Sequence, residues 1–127
     1  MRSTRPMPSR TSITRLQGAY FVVTGLWSLA HYRSFEALTG RKTDRWLVRT
    51  IGLLVVVIGA VLLRHPRSTA AREIGELSSA AFVVGDVLAV AAGQSWIYIA
   101  DAAVEVGLVA AGRVAPEAAS DMHPERA

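Results

Sequence analysis

Residues 51–63 run for thirteen positions without one polar side chain, and residues 46–50 extend the segment to eighteen. As a helix this segment is about 27 Å long and its later part is apolar on every face. Such a helix has no side to present to water. It fits a membrane span or a deeply buried core position and excludes a surface helix. Three more apolar stretches, at residues 16–32, 74–92 and 96–111, share the 127-residue chain and are joined by short connections. The apolar share of 51% would suit a large soluble domain almost as well, so the distribution of residues decides, not the total. The expected fold is all-α: one integral membrane four-helix bundle built from two antiparallel transmembrane hairpins. A soluble four-helix bundle is the alternative.

Two polar segments flank these spans. Residues 1–15, with Arg2, Arg5, Arg10 and Arg15, read as a disordered basic tail, and residues 113–127 as a second disordered tail. The formal charge is +4, almost wholly from arginine. The basic residues lie between apolar segments and do not gather on one amphipathic face, which argues against nucleic acid as a partner. They fit membrane topology instead. With a cytoplasmic N-terminus, nine basic residues lie inside and five outside, so both termini are expected on the cytoplasmic side of a bacterial inner membrane. Trp27, Trp46 and Trp96 then fall at the outer ends of their spans, as an interfacial aromatic belt requires. Ser28-Leu29-Ala30 resembles a signal-peptide cleavage site, but Trp27 before it and His31-Tyr32 after it count against cleavage.

The connections carry their own signals. Residues 34–38 suit a short interfacial helix stopped by Thr39-Gly40, and Thr43 or Asp44 suits the cap of the second span. Pro66 stops that span, and the third is expected to grow out of Arg72-Glu73. Gly93-Gln94-Ser95 is too short for anything but an antiparallel hairpin turn.

That turn fixes a register. Asp86 lies level with Asp101, roughly 10 Å in from the turn, and Glu105 one turn deeper. Asp101 and Glu105 share a helix face as an i, i+4 pair. Arg49, one turn inside the second span, falls at the same depth and is the expected counter-ion, with His31 at the outer mouth. Three acids against one arginine leave two carboxylates to take up protons, bind a cation or contact water. The cluster is either a proton- or cation-responsive site or an ionic lock between helices.

Small residues mark packing faces. Gly18 with Gly25, and Gly52 with Gly59, are spaced by seven and let the first two spans approach closely. Ala81, Gly85, Ala89 and Gly93 form one stripe, and Ala103, Gly107 and Ala111 another. The second stripe lies opposite the acids, so one seam faces the interior and the other a neighbouring helix, in this chain or in a second copy forming a homo-oligomer.

Other chemistry is not signalled. There is no cysteine, the three histidines lack metal-ligand spacing, and Gly40-Arg41-Lys42-Thr43 lacks the glycine and strand of a phosphate loop. No metal, cofactor or catalytic nucleophile is expected, and the chain reads as non-enzymatic.

The segments Gln17-Gly18-Ala19-Tyr20, Thr24-Gly25-Leu26-Trp27, FEALTGRKTDRWLVRT (residues 35–50) and Ile97-Tyr98-Ile99-Ala100-Asp101-Ala102 resemble a loose group of small bacterial four-span membrane proteins with no assigned activity. The resemblance implies a fold and a location only. Small multidrug exporters are similar in size and span number, but their essential acid lies in the first span, where this chain has none. The expected function is accessory or structural, with a small proton- or cation-coupled transporter as the alternative. The lipid bilayer is the expected partner, and the sequence names no substrate.

Overall fold

The computed structural model describes residues 7–117, which form five α-helices and, among those residues, no strand. They are α1 (Arg10–Ala30), α2 (Tyr32–Thr39), α3 (Arg45–Arg64), α4 (Thr69–Ala91) and α5 (Ile97–Val114). Residues 1–6 and 118–127 lie outside the described part, and with them most of both expected tails.

Two helices start earlier than their apolar runs. Ser9 caps α1 by accepting from the Ser12 amide, so residues 10–15, expected in the basic tail, form its first turns. Ser68 caps α4 through the Ala71 amide, five residues ahead of the apolar run. Caps outrank hydropathy in setting helix starts, which is why the expected boundaries fell short. Asp44 stands at the N-cap of α3 but makes no side-chain capping bond. His31 ends α1 and caps α2, which stops at Gly40 with a φ of 98°.

α1 packs most extensively on α3, and α4 on α5; the two pairs meet through α1–α5, α3–α4 and α1–α4, and α3 does not pack on α5. The first seam is a backbone contact. A Cβ at Gly18 would lie 2.8 Å from the Gly59 carbonyl oxygen, and one at Gly25 2.7 Å from that of Gly52. Only glycine permits this approach, and its partners run antiparallel at matching spacing. Phe21, edge-on to Phe82 at 5.7 Å between centroids, and the fully buried Leu62 fill the space beside it.

The stripes on α4 and α5 behave differently. A Cβ at Gly85 or Gly107 would meet nothing within 4 Å, and Ala81 and Ala103 are exposed, so both stripes face outward.

The two ends of the described part, residues 7–117, meet at one end of the bundle, where the Arg10 amide donates to the Pro116 carbonyl at 2.9 Å. At that end Arg10 and Arg113 pair with Glu76 at 3.6 and 3.1 Å, and Arg72 pairs with Glu117 at 3.1 Å. The other end is tied by Lys42. Its ammonium donates to the carbonyls of Thr39 and Gly40 and to Gln94 Oε1, each within about 3.1 Å, and sits 5.0 Å from the Tyr98 ring centroid. The glycine-lysine motif is therefore a fastening between two connections.

The distribution of polarity is inverted. Buried residues include Thr11, Thr14, Gln17, Ser79, Asp86 and Glu105, while Leu53, Leu54, Val57, Leu77, Val84 and Leu88 are exposed. α3 and α4 are long and apolar enough to cross a membrane. That alone is weak evidence, because the core helix of a soluble protein is equally apolar, although such a helix is mostly buried. Here 22% of the apolar stretch of α3 and 17% of that of α4 are buried.

Candidate functional site: a buried carboxyl cluster

The site is organised by the turn between α4 and α5. Gly93, with a φ of 85°, donates to the Val90 carbonyl while Gln94 donates to that of Ala89, the paired bonds of a Schellman motif. The turn folds α5 back along α4 and brings Asp86 beside Asp101 and Glu105. Asp86 is 5% exposed, Glu105 2%, and Asp101 is half-buried.

Each of the α5 acids meets a hydroxyl from another helix. Tyr20 on α1 donates to Asp101 Oδ1, and Ser79 on α4 donates to Glu105 Oε2. Gln17 Nε2 in turn donates to Ser79 Oγ at 2.8 Å and to the Gly75 carbonyl at 3.0 Å. A polar file thus runs Gln17–Ser79–Glu105 toward Asp86, Asp101 and Tyr20 through the middle of the molecule. Asp86 differs from its neighbours: its Oδ2 is buried and no donor reaches it. The groups it faces, Asp101 and Glu105, have no hydrogen to give as carboxylates.

Of the expected site residues, the structure brings Asp86, Asp101 and Glu105 together and leaves two out. Arg49 is exposed on α3, and no ion pair joins it to an acid among the described residues. The glycine register sets Arg49 level with about Ser28, well along α1 from the Tyr20 that meets Asp101, and on a different face. The glycine seam turns Gly52, Val55, Gly59 and Leu62 toward the interior. Arg49 stands about 60° beyond Gly52, the edge of that stripe, and about 100° from its centre. His31 is exposed and spent on capping, its Nδ1 2.7 Å from Ser34 Oγ. The cluster therefore holds three carboxyl groups and no basic side chain among the described residues. Among the described residues no three histidine, cysteine, aspartate or glutamate side chains are grouped as metal ligands.

Sequence reading missed Tyr20, Ser79 and Gln17. The signal available was the i, i+3 spacing of Gln17 and Tyr20, which puts both on one face of α1. Ser79, one serine among small residues, offered none.

No protein-family model, curated protein or solved structure matches the chain.

Proposed function

We propose that this chain is a non-enzymatic four-span membrane protein whose buried carboxyl cluster takes up and releases protons, in the manner of a small proton-responsive or proton-coupled transport protein. The inverted surface supports the membrane setting, since leucine and valine outside with hydroxyls and acids inside suit lipid and not water. The four long helices measure roughly 27–35 Å, the thickness of a bilayer core. Arg10, Arg15, Arg64, Arg67, Arg72 and Arg113 lie toward the end where Arg10 meets Pro116, and this supports both termini on the cytoplasmic side of a bacterial inner membrane. The exposed Trp46 and Trp96 then sit at the outer interface.

The observation that carries the functional reading is the orphaned Asp86 oxygen facing two acids, with no cation at hand. Desolvated like charges need a neutralising species, and a shared proton supplies both the charge and the missing donor. A second reading, a purely structural lock, is favoured by the Tyr20 and Ser79 hydrogen bonds, which tie α5 to α1 and α4.

Infrared spectroscopy of lipid-reconstituted protein separates the two. The first reading expects carboxylic-acid bands that come and go reversibly with pH and are lost one at a time in D86N, D101N and E105Q. Bands that ignore pH, in variants that only loosen the fold, overturn it and leave the lock.

A further inference from the structure

Glu76 stands where bulk water and the polar interior meet. It lines an open cleft of about 280 Å³ at the end where Arg10 meets Pro116, together with Arg10, Thr69, Arg72, Glu73 and Glu117. It also lines a second, much smaller cavity of about 10 Å³, with Thr14, Gln17, Leu108, Val109 and Gly112 among the walls. That volume matches one water molecule, and Thr14, Gln17 and Glu76 give it polar partners. Leu108 and Val109 follow Glu105 by one helical turn, so the small cavity lies directly below the buried acid. Gln17, which lines the cavity, is hydrogen-bonded to Ser79, and Ser79 to Glu105.

The geometry points to Glu76 as the port through which protons reach the carboxyl cluster from the cytoplasmic side, with Gln17 as the gate. This rests on the proton-binding reading above. In the closed arrangement the Gln17 amide occupies the Ser79 hydroxyl oxygen, and an amide does not pass a proton on. When Gln17 swings aside, a water in the small cavity can donate to Ser79 Oγ. Ser79 then gives its own hydroxyl proton to Glu105, and the water is restored by a proton from the cleft that the Glu76 carboxylate takes up and passes on. Every proton given is replaced by one received, and no other reactant is required.

The charges around each end of this route fit the assignment. Glu76 is faced by Arg10 from α1 and Arg113 from α5, with Arg72, Glu73 and Glu117 around the same cleft and Arg10 and Arg72 also lining the small cavity, so it is anchored at the water boundary as an ion-paired carboxylate that relays a proton and does not store one. Glu105 is faced by Ser79 and Asp86 of α4, Asp101 of its own helix and Tyr20 of α1, with no basic group among the described residues.

The test is a pH jump on the full chain in lipid vesicles, following the infrared band that E105Q removes. Glu76→Gln should slow the rise of that band about tenfold or more without changing its final amplitude. Gln17→Ala should speed it, an effect that simple loosening by Glu76→Gln would not mirror. Glu73→Gln, which touches the cleft but not the small cavity, should leave the rate unchanged. An unchanged rate in Glu76→Gln, or equal slowing in Glu73→Gln, overturns the port while the proton site stands. A Glu105 band that never responds to pH removes both.

Discussion

The closest backbone contact between α1 and α3 can be converted into a stability change of known sign. An alanine at position 59 would place its Cβ 2.6 Å from the Gly18 carbonyl oxygen, 2.8 Å from Val22 Cγ2 and 2.9 Å from Phe21 Cβ. Carbon and carbonyl oxygen normally settle at about 3.3–3.6 Å, so the helices must part locally by roughly 0.7–1 Å. The oxygen belongs to a helical backbone and has no rotamer by which to escape. Parting at Gly18–Gly59 also strains Gly25–Gly52, two turns along the same seam. Overpacking of this kind costs about 1–3 kcal/mol, while replacing a helical glycine by alanine returns up to about 1 kcal/mol, leaving a net loss near 1–2 kcal/mol. Gly107→Ala is the matched control, because nothing lies within 4 Å of its added carbon. It should be neutral or stabilising by up to about 1 kcal/mol. Reversible unfolding in mixed micelles, read by circular dichroism and tryptophan fluorescence, measures both. Equal effects at the two positions, or a Gly59→Ala protein as stable as the parent, would refute the backbone-contact argument.

Three further outcomes follow from the same contacts. Leu62→Ala, at a fully buried site beside that seam, should cost about 2–5 kcal/mol in the same unfolding measurement, and a loss well under that range would mean the core there collapses freely. Lys42→Met removes three hydrogen bonds and a ring contact, so the Gly40 and Gly93 connections should open more easily by about 1–2 kcal/mol, seen as faster amide exchange there and unchanged exchange along α1 and α3. Tyr20→Phe strips the donor from Asp101 and should move the infrared band assigned to Asp101 while leaving that of Glu105 in place; a joint shift would mean that the two acids respond as one unit.

The helical plan was legible because its signals are local. Gly93 at a three-residue connection announces a hairpin turn, Thr39-Gly40 a helix stop, and the glycine spacings in α1 and α3 a close seam. Starts of helices were less legible, since Ser9 and Ser68 cap segments too polar to register as apolar runs. The three acids could be brought together from register alone, as one turn joins the two helices that carry them. Choosing their partners required knowing how separate hairpins dock. Expected depth placed Arg49 beside the acids, but the glycine seam that rotates α3 against α1 is set by contacts no register describes. The same docking supplies Tyr20, whose relation to Asp101 spans 81 residues of chain.

Energetics suggest why the acids on α5 are tolerated in the proposed membrane setting, and which acid is left unexplained. On an insertion scale two central acids cost about 5–7 kcal/mol, against roughly 2–4 kcal/mol returned by Ile97, Ile99, Val104, Val106, Leu108 and Val109. The deficit is of the order of 1–5 kcal/mol. Hydrogen bonds to charged acceptors contribute about 1.5–3 kcal/mol each, so the Tyr20 and Ser79 donors cover most of it. Neither donor lies on α5. In the proposed setting the helix is retained only when docked on both α1 and α4, and Asp101 and Glu105 then have a registering role as well. Asp86 has no such account. It brings a third carboxyl into the same low-dielectric space, finds no donor for its buried oxygen, and would be replaced at no loss, or with a gain, in a cluster whose only task was to hold helices together. A structural lock explains two of the three acids, and the one it does not explain is the reason to look for a proton.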